Sequence, residues 1–403
     1  MTVPVPTAQG DSTTGSTLIH GISELVTNDP AMGEGLLGLI PDAAVIIDGD
    51  RIAWVGSAAT APAADTVVDL EGRAVLPGWV DSHSHVVFAG DRAAEFSARL
   101  AGAPYSAAGI GVTVEATRAA PQEQLVDQAR SLVAEMVAGG TTCIETKTGY
   151  GLDVRTEVRI AQAAGQAGVD EVTFLGAHAV PAEFDIDVDG YLDLVCGPML
   201  DAVRPYVGWI DVFCEIGAFD EARARRVLAA GQRHGLGLRV HGNQLGQGPG
   251  VSLAVDLGAA SVDHCTYLEP ADIDALAGSQ TVATLLPICD LSTRQPVARG
   301  RDLVDAGVSI ALATNCNPGS SYSSSMSLAV GLGVLQSRLT PAEAIHAATA
   351  GGARALRRTD VGVVMVGARA DLHALNAPAH DYVAYRIGTP LTNAVWRRGQ
   401  RVV

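Results

Sequence analysis

The stretch Asp81-Ser82-His83-Ser84-His85 places two histidines one residue apart. On an extended chain alternate side chains point the same way, so His83 and His85 present two imidazoles to one side. Neutral imidazole is the common ligand of Zn²⁺ and Fe²⁺. Three more histidines, His178, His241 and His264, stand at the ends of apolar runs, as do Lys147 with Tyr150, Glu215 and Asn315. A lone histidine in such a place is usually a hydrogen-bonded, half-buried side chain. Five of the ten histidines in that setting point instead to one shared centre. With His241 as a third ligand beside His83 and His85, coordination positions stay open for water and substrate, as a catalytic site requires. His20, His234, His346, His373 and His380 read as surface or structural residues.

Such residues need a scaffold that gathers the ends of the runs. Strand-like runs occupy 74–83, 141–147, 171–178, 208–215, 238–241, 260–264, 281–287 and 309–315. Helical stretches lie between them. In 122–138, Leu125, Ala129, Leu132, Val133, Met136 and Val137 share one face, and Gly139-Gly140 ends the pattern. The segment from Arg223 to His234 repeats the design before Gly235. Eight near-continuous apolar strands, each followed by a connection of helical length, predict an α/β fold, a (β/α)₈ TIM-like barrel. An open doubly wound sheet fits less well. No G-x-G-x-x-G follows the first strand, and GEGLLGL near residue 34 has no strand before it. Residues 17–73 and 360–403 instead carry short alternating runs and turns, among them the hairpin signal Asp48-Gly49-Asp50. These predict a small β-sandwich built from both chain termini, a barrel over 74–359 and a flexible arm over 1–16.

Composition agrees with a large packed core: 48% of the 403 residues are hydrophobic and 18% charged. The net charge of −17 disfavours nucleic-acid or acidic-membrane partners, which need a basic face. Lys147 is the only lysine. Six isolated cysteines without a C-x-x-C suggest reduced thiols rather than a disulfide frame. With no signal-like N-terminus and no apolar run approaching ~20 residues, a cytoplasmic protein is expected.

PGWVDSHSHVVFAGDR, the VH at 240–241, the DH at 263–264 and ATNCNPG at 313–319 together resemble the amidohydrolase superfamily of metal-dependent hydrolases. Five further stretches are similar, more narrowly, to the imidazolonepropionase family: FAGDRAAEF (88–96), ETKTGYGL (145–152), FLGAHAVP (174–181), DVFCEIGAF (211–219) and NPGSS (317–321). The likeness runs through the barrel into GARADLHALNAP at 367–378. It implies a hydrolase of cyclic C–N bonds, converting 4-imidazolone-5-propanoate to N-formimidoyl-L-glutamate in histidine degradation. One divalent metal, Zn²⁺ or Fe (2+/3+), would sit on His83, His85 and His241, with Asn315 completing the set. Substrate contacts would fall on Arg92, Tyr150, His178, Gln244, Asn317, Gly319 and Ser320. His264 would join Gln244, His178 and Asn315 in catalysis. Arginine suits a substrate carboxylate, although Arg92 is equally placed for a rim ion pair with Asp91 or Glu95, and Tyr150 for plain packing. A homodimer is a further expectation from the likeness.

Two positions depart from the family pattern. An aspartate is expected at the end of the eighth strand and a glutamate three residues after the fifth-strand histidine, where this chain has Asn315 and Gln244. A neutral amide coordinates weakly and takes no proton at neutral pH. Three readings stand at this point: hydrolysis with another base such as His264 or His178, deamination of another small nitrogen heterocycle, or ligand binding without turnover.

Overall fold

The computed structural model describes residues 15–102 and 109–403; the first fourteen positions of the expected N-terminal arm lie outside it. The chain opens with β1 (Ser16–Val26), β2 (Leu39–Asp48), β3 (Arg51–Ser57) and β4 (Thr66–Pro77). β2 and β3 form the expected hairpin, with Asp48 opposite Arg51. β1 pairs antiparallel with β2 and parallel with β4.

The apolar run at 74–83 is divided between two sheets. Ala74 to Pro77 finish β4, and only β5 (Trp79–Asp81) enters the barrel. Pro77 lacks an N–H, the Gly78 N–H makes the last bond to the terminal sheet at the Asp371 carbonyl (3.1 Å), and the Trp79 N–H already bonds the Gly140 carbonyl at 2.9 Å beside the barrel. The barrel continues through β6 (Thr141–Lys147), β7 (Glu171–Ala177), β8 (Trp209–Cys214), β9 (Gly237–Gly242), β10 (Ser261–His264), β11 (Val282–Leu285) and β12 (Ile310–Leu312). Each pairs parallel with its sequence neighbour. Past the strand ends, the Asn315 N–H donates to the His83 carbonyl at 3.0 Å and the His85 N–H to the Cys316 carbonyl at 3.0 Å. These two bonds stitch the last strand to the first at the rim where the histidines stand.

Helices cover the barrel as their periodicity requires. Gln122–Ala138 buries Leu125, Val126, Ala129, Leu132, Val133 and Met136. Each buried Leu, Val or Met contributes roughly 1.5–3 kcal/mol relative to exposure. Val137 remains half-buried at the edge of that face. Glu221–Arg233 starts at Asp220, whose side chain accepts the Arg223 N–H at 2.9 Å. The Ala-rich segment from Pro341 begins with a Thr340/Glu343 capping box and widens into a π turn over Ala347–Gly351 before ending at Ala355.

The chain ends return to the first sheet as β13 (Leu372–Leu375), β14 (Thr392–Arg397) and β15 (Gln400–Arg401). Among the described residues, the termini form one seven-stranded sheet in the order β15-β14-β13-β4-β1-β2-β3. It has its own core, which includes Ile19, Ile22, Val45, Ile47, Val75 and Trp396. Arg369, Arg397 and Arg398 converge on the buried Asp170 at 2.6, 2.8 and 2.9 Å, which ties the sheet to the barrel. Although burial opposes it, Arg369 and Arg397 hold that carboxyl at about 2. No helix among the described residues is long and apolar enough to cross a membrane.

Candidate functional site

The strand ends meet around a cavity of about 900 Å³ lined by His85, Arg92, Tyr150, His178, His241, Gln244, His264, Asn315, Asn317 and Ser320. Two strands reach the rim in an unusual conformation: His264 has φ 86° and Asn315 φ 63°. Asparagine and histidine tolerate positive φ better than most residues, but for any residue other than glycine it costs about 1–3 kcal/mol.

One nitrogen from each of His83, His241 and His264 lies within 4.8 Å of the other two. His85 stands beside this triangle rather than in it. Its ring centre is 5.3 Å from that of His83 and 5.7 Å from that of His241, as near as the His264 ring at 5.6 and 5.4 Å, and it stacks on His178 at 5.6 Å. Burial pushes His83 and His178 down to about 3, and His85 and His264 well below the usual imidazole range, with neighbouring imidazoles adding to the effect. All four are therefore neutral, the form that ligates a metal. His83 Nε2, His85 Nδ1, His264 Nδ1 and Asn315 Oδ1 are buried with no hydrogen-bond partner among the described residues. Such orphaned acceptors cost free energy unless something binds them. A donor set of imidazoles plus an amide oxygen fits a borderline divalent metal.

Beneath the imidazoles lies a layer that the sequence reading missed. His83 Nδ1 bonds the Asp263 carboxylate at 2.7 Å and His241 Nδ1 the Asp211 carboxylate at 3.0 Å. Each carboxylate fixes its imidazole with Nδ1 protonated, which leaves the Nε2 lone pair available to a metal. Lys147 Nζ is 3.1 Å from Asp211, 3.6 Å from Asp263 and 3.0 Å from Glu145, and Arg239 donates to Asp263 at 3.1 Å. Burial alone would raise both aspartates, but Arg239, His83 and Lys147 hold Asp263 low, and His241 and Lys147 hold Asp211 low. The visible signal was charge inside apolar strand runs. Glu145, Lys147, Asp211 and Arg239 sit at alternate positions that face the barrel axis, and all four are fully buried. Asp211→Asn would present an N–H₂ group to Lys147 and the imidazole. It is expected to weaken metal binding about 10–100-fold, measured by competition with a chromophoric chelator. Unchanged affinity would show that the tautomer of His241 is set elsewhere.

Arg92, which also lines the cavity, is buried and forms a two-pronged pair with Glu95, Nε to Oε2 at 2.8 Å and Nη2 to Oε1 at 2.7 Å. The rim ion pair and the cavity position are thus both real. Its Nη1 side lies against Gly319, where any Cβ would collide with the guanidinium. Asn317 Oδ1 accepts the Gly319 N–H at 2.8 Å and the Ser320 N–H at 3.3 Å, which shapes the NPGSS turn. Asn315 Nδ2 donates to Ser320 Oγ at 2.9 Å, so its oxygen is left for the cavity side. Tyr150 packs its ring 5.9 Å from His85 and 5.5 Å from His178 while lining the cavity. Gln244 is held by Glu215, which accepts its backbone N–H and that of Leu245. Every residue expected at the site is therefore at or beside one cavity, with His85 offset toward His178.

The amidohydrolase family model matches residues 220–400. An imidazolonepropionase of Saccharopolyspora erythraea is 62% identical over 391 residues, covering 96% of this chain and 99% of that protein. One of Arthrobacter sp. is 59% identical over 405 residues, with 96% and 99% covered. Among solved structures, a zinc complex of an atrazine chlorohydrolase from Arthrobacter aurescens superposes with TM-score 0.70 at 18% identity, covering 96% and 95%. An adenosine deaminase from Xanthomonas campestris with bound zinc gives 0.70 at 22% identity, covering 96% and 92%. At those identities the two structures speak for the fold alone.

Proposed function

This chain belongs to the imidazolonepropionases, within the amidohydrolase family, and from that premise we propose how its residues hydrolyse 4-imidazolone-5-propanoate to N-formimidoyl-L-glutamate. The observation that carries the reading is one cavity lined both by neutral imidazoles and by Arg92 with Asn317 and Ser320 of the NPGSS turn. A heterocycle bearing a carboxylate matches both.

His83, His85 and His241 are assigned as metal ligands, with Asn315 Oδ1 as the fourth, and the ion is assigned as a single Zn²⁺ or Fe. When bound, such an ion polarises a carbonyl and lowers the pKa of water. The chain supplies the rest. Asp263 and Asp211 keep His83 and His241 oriented. His178 donates through Nδ1 to the Gly149 carbonyl at 3.0 Å, which leaves Nε2 for the imidazolone ring beside Gln244. His264, whose buried Nδ1 has no hydrogen-bond partner among the described residues, is assigned to accept the proton that Asn315 cannot take. Arg92 and the turn hold the propionate.

Arg92→Ala is expected to raise KM about 10–100-fold through the loss of charge-assisted hydrogen bonds worth ~1.5–3 kcal/mol, with a much smaller change in kcat. An unchanged KM would leave Arg92 as a partner of Glu95 only. The activity itself is tested by the decay of the ultraviolet absorbance of imidazolonepropionate with metal-supplemented protein. Turnover supports the reading. Saturable binding without product, or ammonia release from aminated heterocycles instead, would overturn it. Six free cysteines, five of them buried, support a reducing, cytoplasmic setting, and pairing of two copies belongs to the same reading.

A further inference from the structure

Glu157 lies in the first turn of the helix Val154–Gln166 and is completely buried, yet it does not line the cavity. Its carboxylate accepts three backbone N–H groups from one loop: Gly149 at 2.9 Å, Gly151 at 2.7 Å and Leu152 at 2.8 Å. The nearby Thr148 hydroxyl also favours the carboxylate form. Tyr150 sits in the middle of that loop. The carbonyl of Gly149 in turn receives His178 Nδ1, so two of the proposed substrate contacts hang from one short piece of backbone. Gly149 has φ 104°, a conformation that side-chain-bearing residues rarely adopt. From outside, Arg118 donates to the carbonyls of Gly151 at 2.6 Å and Leu152 at 3.3 Å, and braces Asp153 and Glu183.

Burying a carboxylate costs several kcal/mol, and a helix that needed only packing would place an apolar residue here. An anion is justified by what it binds. Three converging N–H donors require an acceptor with two oxygens and no hydrogens, and glutamine would turn an N–H₂ group toward at least one of them. We propose that Glu157 is a positioning residue for the substrate: through the main chain of 149–152 it fixes Tyr150 and His178 against the imidazolone. This rests on the assignment of those two side chains to the substrate.

The test is a kinetic cycle of E157Q, Y150F and the double variant in metal-loaded protein. E157Q is expected to lower kcat/KM by about 10–100-fold, chiefly through KM, with metal content unchanged because Glu157 touches no imidazole of the cluster. In the double variant the KM cost of E157Q should shrink to less than half on a logarithmic scale. Fully multiplicative costs, or E157Q with unaltered KM, would overturn the positioning role while leaving the substrate site intact. A Y150F variant with wild-type KM would overturn the assignment of Tyr150, and this proposal with it. Should E157Q fail to fold, E157D keeps the charge, withdraws it by one methylene and carries the same cycle.

Discussion

His241→Ala is expected to empty the metal centre and to lower kcat/KM by about 1000-fold or more, since the ion supplies several kcal/mol of transition-state stabilisation. The size of the effect follows from where His241 stands. It is one corner of the imidazole triangle with His83 and His264 and the only imidazole bonded to Asp211. Its removal also strands that buried carboxylate, leaving Lys147 as its main counter-charge. His264→Ala is the instructive companion. If it acts as the assigned proton acceptor, His264 should be dispensable for metal content and indispensable for kcat. Elemental analysis beside steady-state rates separates the two. Loss of metal in His264→Ala with retention in His85→Ala would transfer ligand status from His85 to His264, a result the 4.8 Å triangle makes worth looking for.

Asn315→Asp is expected to raise kcat, by roughly 10–100-fold, because a positioned general base contributes about 10²–10⁴ and an imidazole already supplies part of it. The site is ready for the exchange. Asn315 and an aspartate have the same shape, the left-handed backbone at φ 63° suits both, and Ser320 can turn its hydroxyl to donate to a carboxylate instead of accepting from the amide. Pre-steady-state rates at several pH values are the measurement. A kcat that stays level would mean that His264 or His178 already performs the proton transfer as well as a carboxylate would.

Much of this centre can be read from residue order because its parts obey simple periodicities. The i, i+2 spacing of His83 and His85 and the ends of the apolar runs located the rim, and the helix over 122–138 was visible in its 3.6-residue pattern. What escaped notice obeys pairing across the barrel instead. Asp211 meets His241 and Asp263 meets His83 over separations of 30 and 180 residues, and nothing local in WIDVFC or SVDH names the partner. Nothing in the sequence singles out Glu157, because three backbone donors in a neighbouring loop leave no trace in composition. The first barrel strand was overextended for a related reason: an apolar run does not announce that Pro77 and Gly78 hand it from one sheet to another.

The layer of charge under the imidazoles has one further consequence. Its Lys147 is the single ε-amine of the protein, and its side chain is fully buried. The permanently charged cations on the outside are therefore guanidiniums. Acylating reagents, acetyl transfer and ubiquitin attachment find no lysine on the folded surface, and trypsin meets only arginines there. Apart from the α-amine, the molecule exposes a reactive amine only when the floor of its barrel comes apart, so acylation of Lys147 marks the opening of the metal centre itself.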